Sequence, residues 1–426
     1  MTFEKTLGDI AEIIMGQSPA GDTCNDVGEG TPLLNGPTEF GHKHPSPVQF
    51  TTDAKKVSLP NDLLFCVRGS TTGKMNWADR QYAIGRGLAA IRGKNGYPNT
   101  FIRSVIEVNL DSLLNQATGS TFPNVSRDLI SSLSIPNISK ESAQKIASVV
   151  EPIEENITLL RNTNSTLEAI AQALFKSWFI DFDPVRAKQE GRKPEGMDET
   201  TAAFFPDSFE SGNLCDMPKG WRVGTLTELT SFQNGYAFKG KDWTESGHPV
   251  VKIGNVKPRL ISLDGCSFVG PQTVNGLDRF KLHRGDLLVG MTGYVGETGL
   301  VAEVSPIAYL NQRVGRFSTK EGLSDIGFIY CLVRSKEFKT FAENKAHGSA
   351  QANVSGDDLL KFPTVIPNAK ILSSFNLIIY PLIDAIISNY EKERTLFDLR
   401  ITLLPRLISG QLRLPDAADQ IEVALA

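Results

Sequence analysis

Apolar residues recur every three or four positions along two stretches of 33 residues. In the first stretch, the spacing alternates between four and three without a slip from Ile146 to Trp178. That period is typical of a heptad seam on a long helix that packs against another helix. The second stretch runs from Phe375 to Leu407, and its seam is less regular at Glu393 and Arg400. The pattern therefore predicts two long helices, and their equivalent seams favour antiparallel packing on each other.

The residues predicted to pair the helices lie on one face of each. Asn164 is the one polar residue of the first seam. Because a buried Asn in such a seam fixes register at a cost in stability, we expect Asn164→Leu to strengthen the pairing. Pro152 and Pro381 occupy equivalent places and should kink each helix near its start. The predicted pairing residues are Ile146, Val150, Ile153, Ile157, Leu160, Asn164, Leu167, Leu174, Leu382, Ile386, Leu396 and Leu403.

Short apolar runs separated by Gly, Pro, Asn and Ser precede each long helix. In the first 140 residues the clearest runs are 63–67, 88–91 and 104–108. Such punctuation is typical of many short strands and loops with some helix. The chain is therefore predicted to be an α+β protein, with two globular domains joined by two long helices that form an antiparallel coiled coil.

The two halves of the chain repeat the same residues in the same order. Six matches recur at offsets that drift slowly from 217 to 229, and we infer a tandem duplication of roughly 215 residues with pseudo-twofold symmetry. Three of these matches are Asp62-Leu63-Leu64 with Asp286-Leu287-Leu288, Tyr82 and Arg86 with Tyr309 and Arg313, and Asn124-Val125-Ser126 with Asn353-Val354-Ser355. The predicted segments are a first globular domain (1–139), a central helix (140–182), a linker (183–217), a second globular domain (218–369), a distal helix (370–414) and a tail (415–426).

Composition places the chain among ordinary globular proteins. Of its 426 residues, 40% are apolar and 22% are charged, which excludes wholesale disorder or a single continuous coiled coil. No run approaches 18 uncharged apolar residues, and the amino terminus carries no apolar signal core, so we expect a cytoplasmic protein without a membrane span. The five cysteines are far apart and form no CxxC pair, which predicts reduced, mostly buried thiols.

Charge is unevenly distributed along the chain. The net charge of −4 divides into −1 for residues 1–139, −6 for 140–217, +4 for 218–369 and −1 for 370–426. Only the second globular domain is basic, and the acidic charge is concentrated around the central helix and the linker. A polyanion partner is therefore favoured by the second domain more than by the first.

The motifs of common catalytic sites are missing. The run Gly69-Ser70-Thr71-Thr72-Gly73-Lys74 fails as a P-loop, because Arg68 and Met75 stand where glycine and a hydroxyl residue are required. Neither a Gly-x-Gly-x-x-Gly motif after a strand, nor an amino-methylation motif, nor a compact nuclease cluster is found. The His42-x-His44 pair could bind a metal, but a solvated loop is the simpler interpretation, and no metal site is predicted.

Several strings resemble specificity subunits of Type I restriction–modification systems. Residues 167–185 resemble the end of that family's central helix, and residues 403–412 resemble its distal helix end. The segments 83–91 and 118–126 are similar to its recurring target-recognition-domain signatures. The likeness covers nearly the whole chain in family order. It departs at Gln312-Arg313-Val314-Gly315, where the second half lacks the Gly-Arg-Gly of the first.

The resemblance implies a non-enzymatic DNA reader. Each recognition domain would read one half of a split, asymmetric target, and the helices would set the spacer between the halves. Two modification subunits carrying S-adenosylmethionine would bind around the helices, restriction subunits would join them, and this chain would bind no cofactor itself. Two alternatives are left open: a duplicated protein-binding scaffold without DNA specificity, and a methyltransferase or fused restriction enzyme.

Sequence-specific contacts need Arg, Lys, Asn or Gln at base edges, and contacts to phosphates set the orientation. For each candidate, a solvated surface position is an equally good interpretation. Arg86 and Arg313 rank higher because they are matched between the halves. The DNA-binding candidates are Asn35, Lys43, Arg68, Lys74 and Arg86 in the first domain and Lys239, Lys241, Lys257, Arg259, Tyr294 and Arg313 in the second.

Overall fold

The computed structural model divides into two compact units, and each combines a mixed α/β domain with a stretch of both long helices. Unit 1 comprises residues 1–161 and 393–426, and unit 2 comprises residues 162–392. Both boundaries fall inside a long helix, so that the two helices pair within each unit. The structure describes residues 3–118, 123–211, 216–257, 259–319, 325–348 and 352–412.

The domain of unit 1 is built in layers around a four-stranded antiparallel sheet. In spatial order its strands are Ala11–Met15, Leu88–Gly93, Leu63–Cys66 and Met75–Trp77. Because side chains alternate between the faces of a strand, Leu63 and Phe65 pack with the helices while Leu64 and Cys66 pack against a second sheet. Burial on both faces explains the continuous apolar run of this strand.

The second sheet of unit 1 has five short strands and one parallel pairing, between Thr31–Leu34 and Tyr82–Ile84. The strand Phe3–Thr6 pairs with Ser134–Pro136, which leads directly into the central helix. The remaining strands of unit 1 are Cys24–Asn25, Gln49–Thr51 and Val57–Ser58, and its shorter helices are Leu7–Ile10, Asn99–Val108, Leu110–Asn115 and Arg127–Ser131.

The domain of unit 2 repeats these layers. Its central sheet has the order Ser231–Asn234, Val314–Ser318, Leu287–Gly290, Thr298–Leu300 and Arg259–Leu260, and the last pairing is parallel. The accompanying four-stranded sheet consists of Trp243–Thr244, Ser267–Val269, His248–Val251 and Tyr309–Leu310. Two further pairs are Phe209–Ser211 with Asp216–Pro218 and Arg222–Thr225 with Pro363–Ile366. The shorter helices are Asp183–Gln189, Glu199–Phe204, Gly327–Val333, Lys336–Lys345 and Gly356–Leu360.

One predicted apolar run is a helix and not a strand. Residues 104–108 end the helix Asn99–Val108, in which Phe101, Ile102, Val105 and Ile106 are fully buried. These four side chains lie at helical spacing and pack in the core of unit 1, so period 3.6 and not period 2 governs this segment.

The two long helices are Lys140–Phe179 and Ala369–Ile408, which we call the central helix and the distal helix. Each is assigned as helix without a break through its proline. The distal helix ends before Gly410, which has a left-handed φ of 74°. A left-handed glycine commonly terminates a helix because it turns the chain while the last carbonyls remain satisfied. Phe182, with φ of 58°, lies beyond the central helix and begins the helix Asp183–Gln189.

The helices pair in antiparallel fashion within each unit. In unit 1, Arg161 contacts Glu393 and Glu154 contacts Arg400, so numbers rise along one helix as they fall along the other. In unit 2, Asn164 contacts Asn389, and the rings of Phe175 and Phe375 lie 6.2 Å apart. The distal helix is long and apolar enough to cross a membrane by length and composition alone, as buried core helices of soluble proteins also are. Its residues Phe375, Ile379, Ile383 and Ile387 are fully buried in the core of unit 2.

Candidate nucleic-acid interface

In unit 1, the turn that carries Arg86 lies where several loops meet. The backbone N–H of Gly85 donates to the carbonyl of Leu34 (2.8 Å), and that of Val67 donates to the carbonyl of Gly87 (3.0 Å). The N–H of Arg86 donates to the Ser18 hydroxyl at 3.3 Å. The structure therefore brings three predicted DNA contacts together, because Asn35 follows Leu34, Arg68 follows Val67, and Arg86 lies between them.

Glycine is required on both sides of Arg86. A Cβ on Gly85 would lie 2.4 Å from the Asn35 side-chain oxygen, and one on Gly87 would lie 2.3 Å from the Asn35 carbonyl oxygen. Both distances are far inside van der Waals contact. The Gly-Arg-Gly sequence thus allows the turn to lie against residue 35 while the Arg86 side chain remains exposed.

Unit 2 forms the same frame, and its register corrects one of the sequence matches. Strand pairing sets Leu33 opposite Ala83 in unit 1 and Val250 opposite Tyr309 in unit 2, so that Tyr309 corresponds to Ala83 and not to Tyr82. The offset here is 226 instead of 227. Arg86 therefore corresponds to Gln312, and the matched Tyr and Arg pairs are a coincidence of spacing.

Gln312 is an exposed polar residue that the sequence comparison missed. Its backbone N–H donates to the Tyr236 carbonyl (2.9 Å), while the carbonyl of Arg313 accepts from the N–H of Met291 (3.1 Å). Both Gln312 and Arg313 are exposed in this turn. Strand register reveals this correspondence, whereas the repeated Tyr and Arg in the sequence indicate a match one residue away.

Beside each turn, a hairpin of the central sheet ends in a loop that is tied down by Asn124 or Asn353. Asn124 bridges to Arg68, and the Val125 N–H donates to the Val67 carbonyl at 2.8 Å. Asn353 bridges to Thr292 in the same way, and the Val354 N–H donates to the Met291 carbonyl at 2.9 Å. The repeated Asn-Val-Ser triplet thus holds a hairpin loop in both domains, which the sequence repeat did not indicate.

The remaining candidates are spread over several loops, a short helical turn and one strand. Asn35 is exposed and donates to the Gln49 side chain at 3.0 Å. Arg259 lies in a strand that pairs with Thr298–Leu300, and its side chain is outside the described part of the structure. The exposed cationic candidates away from the turns are Lys43, Lys239, Lys241 and Lys257.

The two hairpins differ in charge at equivalent positions. The backbone N–H of Cys66 donates to the carbonyl of Lys74, and the N–H of Gly290 donates to the carbonyl of Glu297. Lys74 in the first hairpin therefore corresponds to Glu297 in the second. Lys74 is exposed, whereas the carboxylate of Glu297 pairs with Lys339. The hydrogen bond that the Lys339 ammonium donates to this carboxylate raises the pKa of Lys339. The first hairpin therefore presents a positive charge where the second presents a neutralised pair.

Comparison with known families gives this duplicated frame a context. A family model described as the Type I restriction modification DNA specificity domain matches the chain twice, over residues 2–169 and 218–394. The two matches cover most of the chain and follow the duplication.

The chain belongs to this family. It is a DNA sequence-specificity subunit of a Type I restriction–modification system, and the two α/β domains are its target-recognition domains. A protein-binding scaffold without DNA specificity is not favoured.

Individual relatives agree with the family assignment. The HindI specificity subunit of Haemophilus influenzae is 26% identical over 70% of this chain and 73% of its own length. The MjaIX specificity subunit of Methanocaldococcus jannaschii is 24% identical over 85% of this chain and 81% of its own. The crystal structure of a Type I S subunit from M. genitalium has a similar fold, with a TM-score of 0.54 at 15% identity over 95% of each chain.

The first recognition domain is attached to the helices by a buried charge network that sequence reasoning missed. Arg103 pairs with Glu107 (3.0 Å) and Glu154 (3.2 Å), and Arg400 of the distal helix pairs with the same Glu154 (3.1 Å). Burial raises the pKa of Glu154 above its ordinary value, against the opposing effect of Arg103 and Arg400. Burial also opposes the charge of Arg103, but the two carboxylates outweigh it and the pKa of this guanidinium is raised.

In unit 2, two separate arginines contact the helices in place of this network. Arg334 pairs with Glu168 of the central helix, and both side chains are largely buried. Arg284 pairs with Asp384 (2.5 Å) and Glu391 (3.0 Å) of the distal helix. Each recognition domain is therefore fixed to a helix by charged side chains as well as by apolar packing.

The predicted helix-pairing residues lie in the cores or at their edges. Asn164 is 2% exposed, donates to the Ile386 carbonyl (3.2 Å) and accepts from the Asn389 side chain (2.8 Å). Phe175 and Phe179, which the heptad assignment omitted, are also buried. Buried members of the predicted set are Ile146, Val150, Ile153, Ile157, Ile386, Leu396 and Leu403, and partly buried members are Leu160, Leu167, Leu174 and Leu382.

No group of three or more potential metal ligands occurs among the described residues. The ring Nδ1 of His44 lies 2.9 Å from the Trp77 carbonyl oxygen, which is a hydrogen bond within the domain. Cys66, Cys266 and Cys331 are buried free thiols and Cys24 is half-buried, while Cys215 lies outside the described residues.

Proposed function

We propose that each target-recognition domain reads one half of a bipartite, asymmetric DNA sequence. The observation that supports this most directly is the loop frame that occurs twice with different exposed side chains. The first domain presents Arg68, Lys74 and Arg86, whereas the second presents Tyr294, with Gln312 in the place of Arg86. To read two different half-sites of one duplex, the two domains need the same loop backbone with different exposed side chains.

The net charge of the second domain favours DNA binding, whereas that of the first domain does not. The second domain carries a net charge of +4, which suits the phosphate contacts that supply most of the affinity for DNA. The first carries −1, so its binding face depends on the local cluster of Arg68, Lys74 and Arg86. Affinity should therefore fall steeply with salt, mainly through contacts of the second domain.

The helices, in this proposal, set the spacer between the half-sites and bind two modification subunits. Apolar side chains exposed on the helices of unit 1 support a protein partner there. Leu159 is 62% exposed, Phe397 41% and Ile401 52%. Large apolar side chains exposed close together commonly mark protein interaction surfaces. Restriction subunits would join this assembly through the modification subunits.

Catalysis is assigned to the partner subunits and not to this chain. The S-adenosylmethionine that donates the methyl group would be held by the modification subunits, so that this chain contributes base recognition and geometry alone. The lack of cofactor and nuclease motifs in the sequence supports this division of labour. Such an assembly acts on chromosomal DNA, and we place the chain in the cytoplasm.

The test compares the purified chain with its complex with modification subunits. We expect the complex, supplied with labelled S-adenosylmethionine, to methylate one asymmetric, interrupted sequence, which methylation-site sequencing of treated genomic DNA identifies. The chain alone should transfer no methyl groups and cleave no DNA. Methyl transfer by the chain alone, or a target that is continuous or symmetric, would contradict the proposal.

A further inference from the structure

The hairpin loops beside the two turns share a frame and differ at the tip. In unit 1 the loop is closed by mutual hydrogen bonds between Cys66 and the 73–74 segment, and in unit 2 by bonds between Gly290 and the 296–297 segment. Seven residues, 67–73, form the first loop and six residues, 291–296, form the second. Gly69 and Gly293 have positive φ values of 98° and 75° and occupy the same place near the start of each loop.

Each loop is held rigidly from the side by the segment that contains the repeated Asn. In unit 2 the Thr292 hydroxyl donates to the Asn353 side-chain oxygen at 2.6 Å, and the Gly293 N–H donates to the Ala352 carbonyl at 3.0 Å. In unit 1 the Thr72 hydroxyl lies 2.8 Å from the Gly69 carbonyl oxygen and 3.0 Å from that of Pro123. A loop that is ordered before it binds loses little conformational entropy on binding.

The second loop presents one large side chain to solvent. Tyr294 is 62% exposed, whereas its neighbours Thr292 and Val295 are 6% and 5% exposed. Among the described residues, the ring and hydroxyl of Tyr294 contact no hydrogen-bonding or aromatic partner. A tyrosine held in this way can stack on a base or donate a hydrogen bond to a base edge.

The first loop presents different chemistry on the same frame. Arg68 and Ser70 are exposed there, and Lys74 follows at the base of the loop. The guanidinium of Arg68 has no partner within the described residues. Arginine is the side chain that most often reads guanine, through paired hydrogen bonds to its major-groove edge.

We propose that the tips of these two hairpins determine base specificity, with Tyr294 reading one half-site and Arg68 the other. This rests on the proposed function. Asn124 and Asn353 act as positioning residues, because they fix the loop from which the reading side chain projects. The repeated triplet therefore holds an equivalent loop in both domains. The half-sites differ because the exposed reading residue precedes the matched glycine in the first loop (Arg68, before Gly69) and follows it in the second (Tyr294, after Gly293).

The test uses the full chain in complex with modification subunits. Methylation-site sequencing first defines both half-sites of the wild-type complex. We expect Tyr294→Ala to relax one or more base positions in one half-site only, and to weaken binding of a duplex carrying the wild-type target by roughly 10-fold to 100-fold. Arg68→Ala should relax the other half-site alone. Tyr294→Phe separates stacking, which it keeps, from hydrogen bonding, which it removes.

Val223→Ala is the matched control, because Val223 is 57% exposed in the same domain but lies in the strand Arg222–Thr225 that pairs with Pro363–Ile366. It should leave both half-sites unchanged. Thr292→Val removes the hydrogen bond to Asn353 at nearly constant volume and should reduce discrimination in the half-site that Tyr294 reads. Thr292→Ser keeps the hydroxyl but loses a methyl group, and it should discriminate bases as the wild type does. This result would not be expected if Thr292 acted only by filling space.

Two results would overturn the assignment of the tips. In the first, the Tyr294→Ala complex discriminates bases as the wild type does at every position of the target. In the second, either Tyr294→Ala or Arg68→Ala alone relaxes base discrimination equally in both half-sites. These results differ from failure of the proposed function, because in that case the wild-type complex itself would show no asymmetric bipartite target.

Discussion

At the scale of residues, the three adjacent residues of the repeated Asn-Val-Ser triplet have separate roles. Asn124 holds its hairpin loop through the main chain, and Asn353 holds the second loop through its main chain and its side-chain oxygen. Val125 and Val354 are buried, and the following serines cap helices. Ser126 accepts from the Leu129 N–H and Ser355 from the Asp358 N–H, each at 3.1 Å. Serine is favoured at this position because it satisfies an otherwise free backbone donor at the helix start.

Asn164 is a second residue whose partners decide its contribution. The sequence alone predicts that Asn164→Leu strengthens helix pairing, but the structure changes this expectation. Leucine would leave the half-buried Asn389 amide without its acceptor, at a cost of about 1–2 kcal/mol. We therefore expect Asn164→Leu to lower the free energy of unfolding by this amount, and Asn164→Leu with Asn389→Leu to recover most of it.

Chemical denaturation of the full chain measures both effects. Asn162→Leu is the control, since Asn162 is exposed on the same helix and its replacement should change stability by less than about 0.5 kcal/mol. A single Asn164→Leu variant that is as stable as the wild type would contradict the proposed role of Asn389.

At the scale of elements, polar residues favour pairing of the central helix with the distal helix over pairing of two copies of the same helix. Arg161 pairs with Glu393 at 2.6 Å in unit 1. At the helix offset of 229, the residue equivalent to Glu393 is Asn164, and the one equivalent to Arg161 is Tyr390. Self-pairing of either helix would therefore leave its charge without an opposite partner, which favours pairing between the two helices of one chain.

Reversing this ion pair tests the complementarity. Arg161→Glu should lower the free energy of unfolding by about 1–3 kcal/mol, because it sets two carboxylates together at a site where the Glu393 side chain is only 15% exposed. Adding Glu393→Arg should recover most of the loss. Urea denaturation of the full chain measures both variants. Lys193→Glu is the control, since Lys193 and its partner Glu199 are more than 80% exposed and the change should be small. No recovery in the double variant would show that the pair does not define the helix register.

At the scale of the whole molecule, the proposed spacer depends on the length of the helices. Each long helix has 40 residues, so it spans about 60 Å at 1.5 Å per residue. Each helix begins in one unit and ends in the other, and it has pairing residues in both units. Helix length is thus the simplest quantity through which the sequence can define the distance between half-sites.

Lengthening both helices tests this directly. Four residues inserted after Asn164, with four inserted at the matching level of the distal helix, add about 6 Å to each. Because the duplex rises about 3.4 Å per base pair, the spacer should grow by one or two base pairs while both half-sites stay the same. Methylation-site sequencing of the reconstituted complex measures the spacer. The insertion rotates the seam by about 40°, so activity should also fall. An active variant with the original spacer would show that the helices do not set the distance.

The sequence by itself determined the α+β class, the duplication, the two antiparallel helices and the family. These are carried by periodicity and by strings of adjacent residues, which depend on local geometry and can be read along the chain. Only the tertiary structure decided that Gln312 stands in the place of Arg86, that Asn124 and Asn353 hold the hairpins, and that Arg103, Glu154 and Arg400 form one network. Those facts depend on strand register and on contacts between residues far apart in sequence. A shift of one residue in register changes every cross-strand partner while leaving the composition and the motifs unchanged.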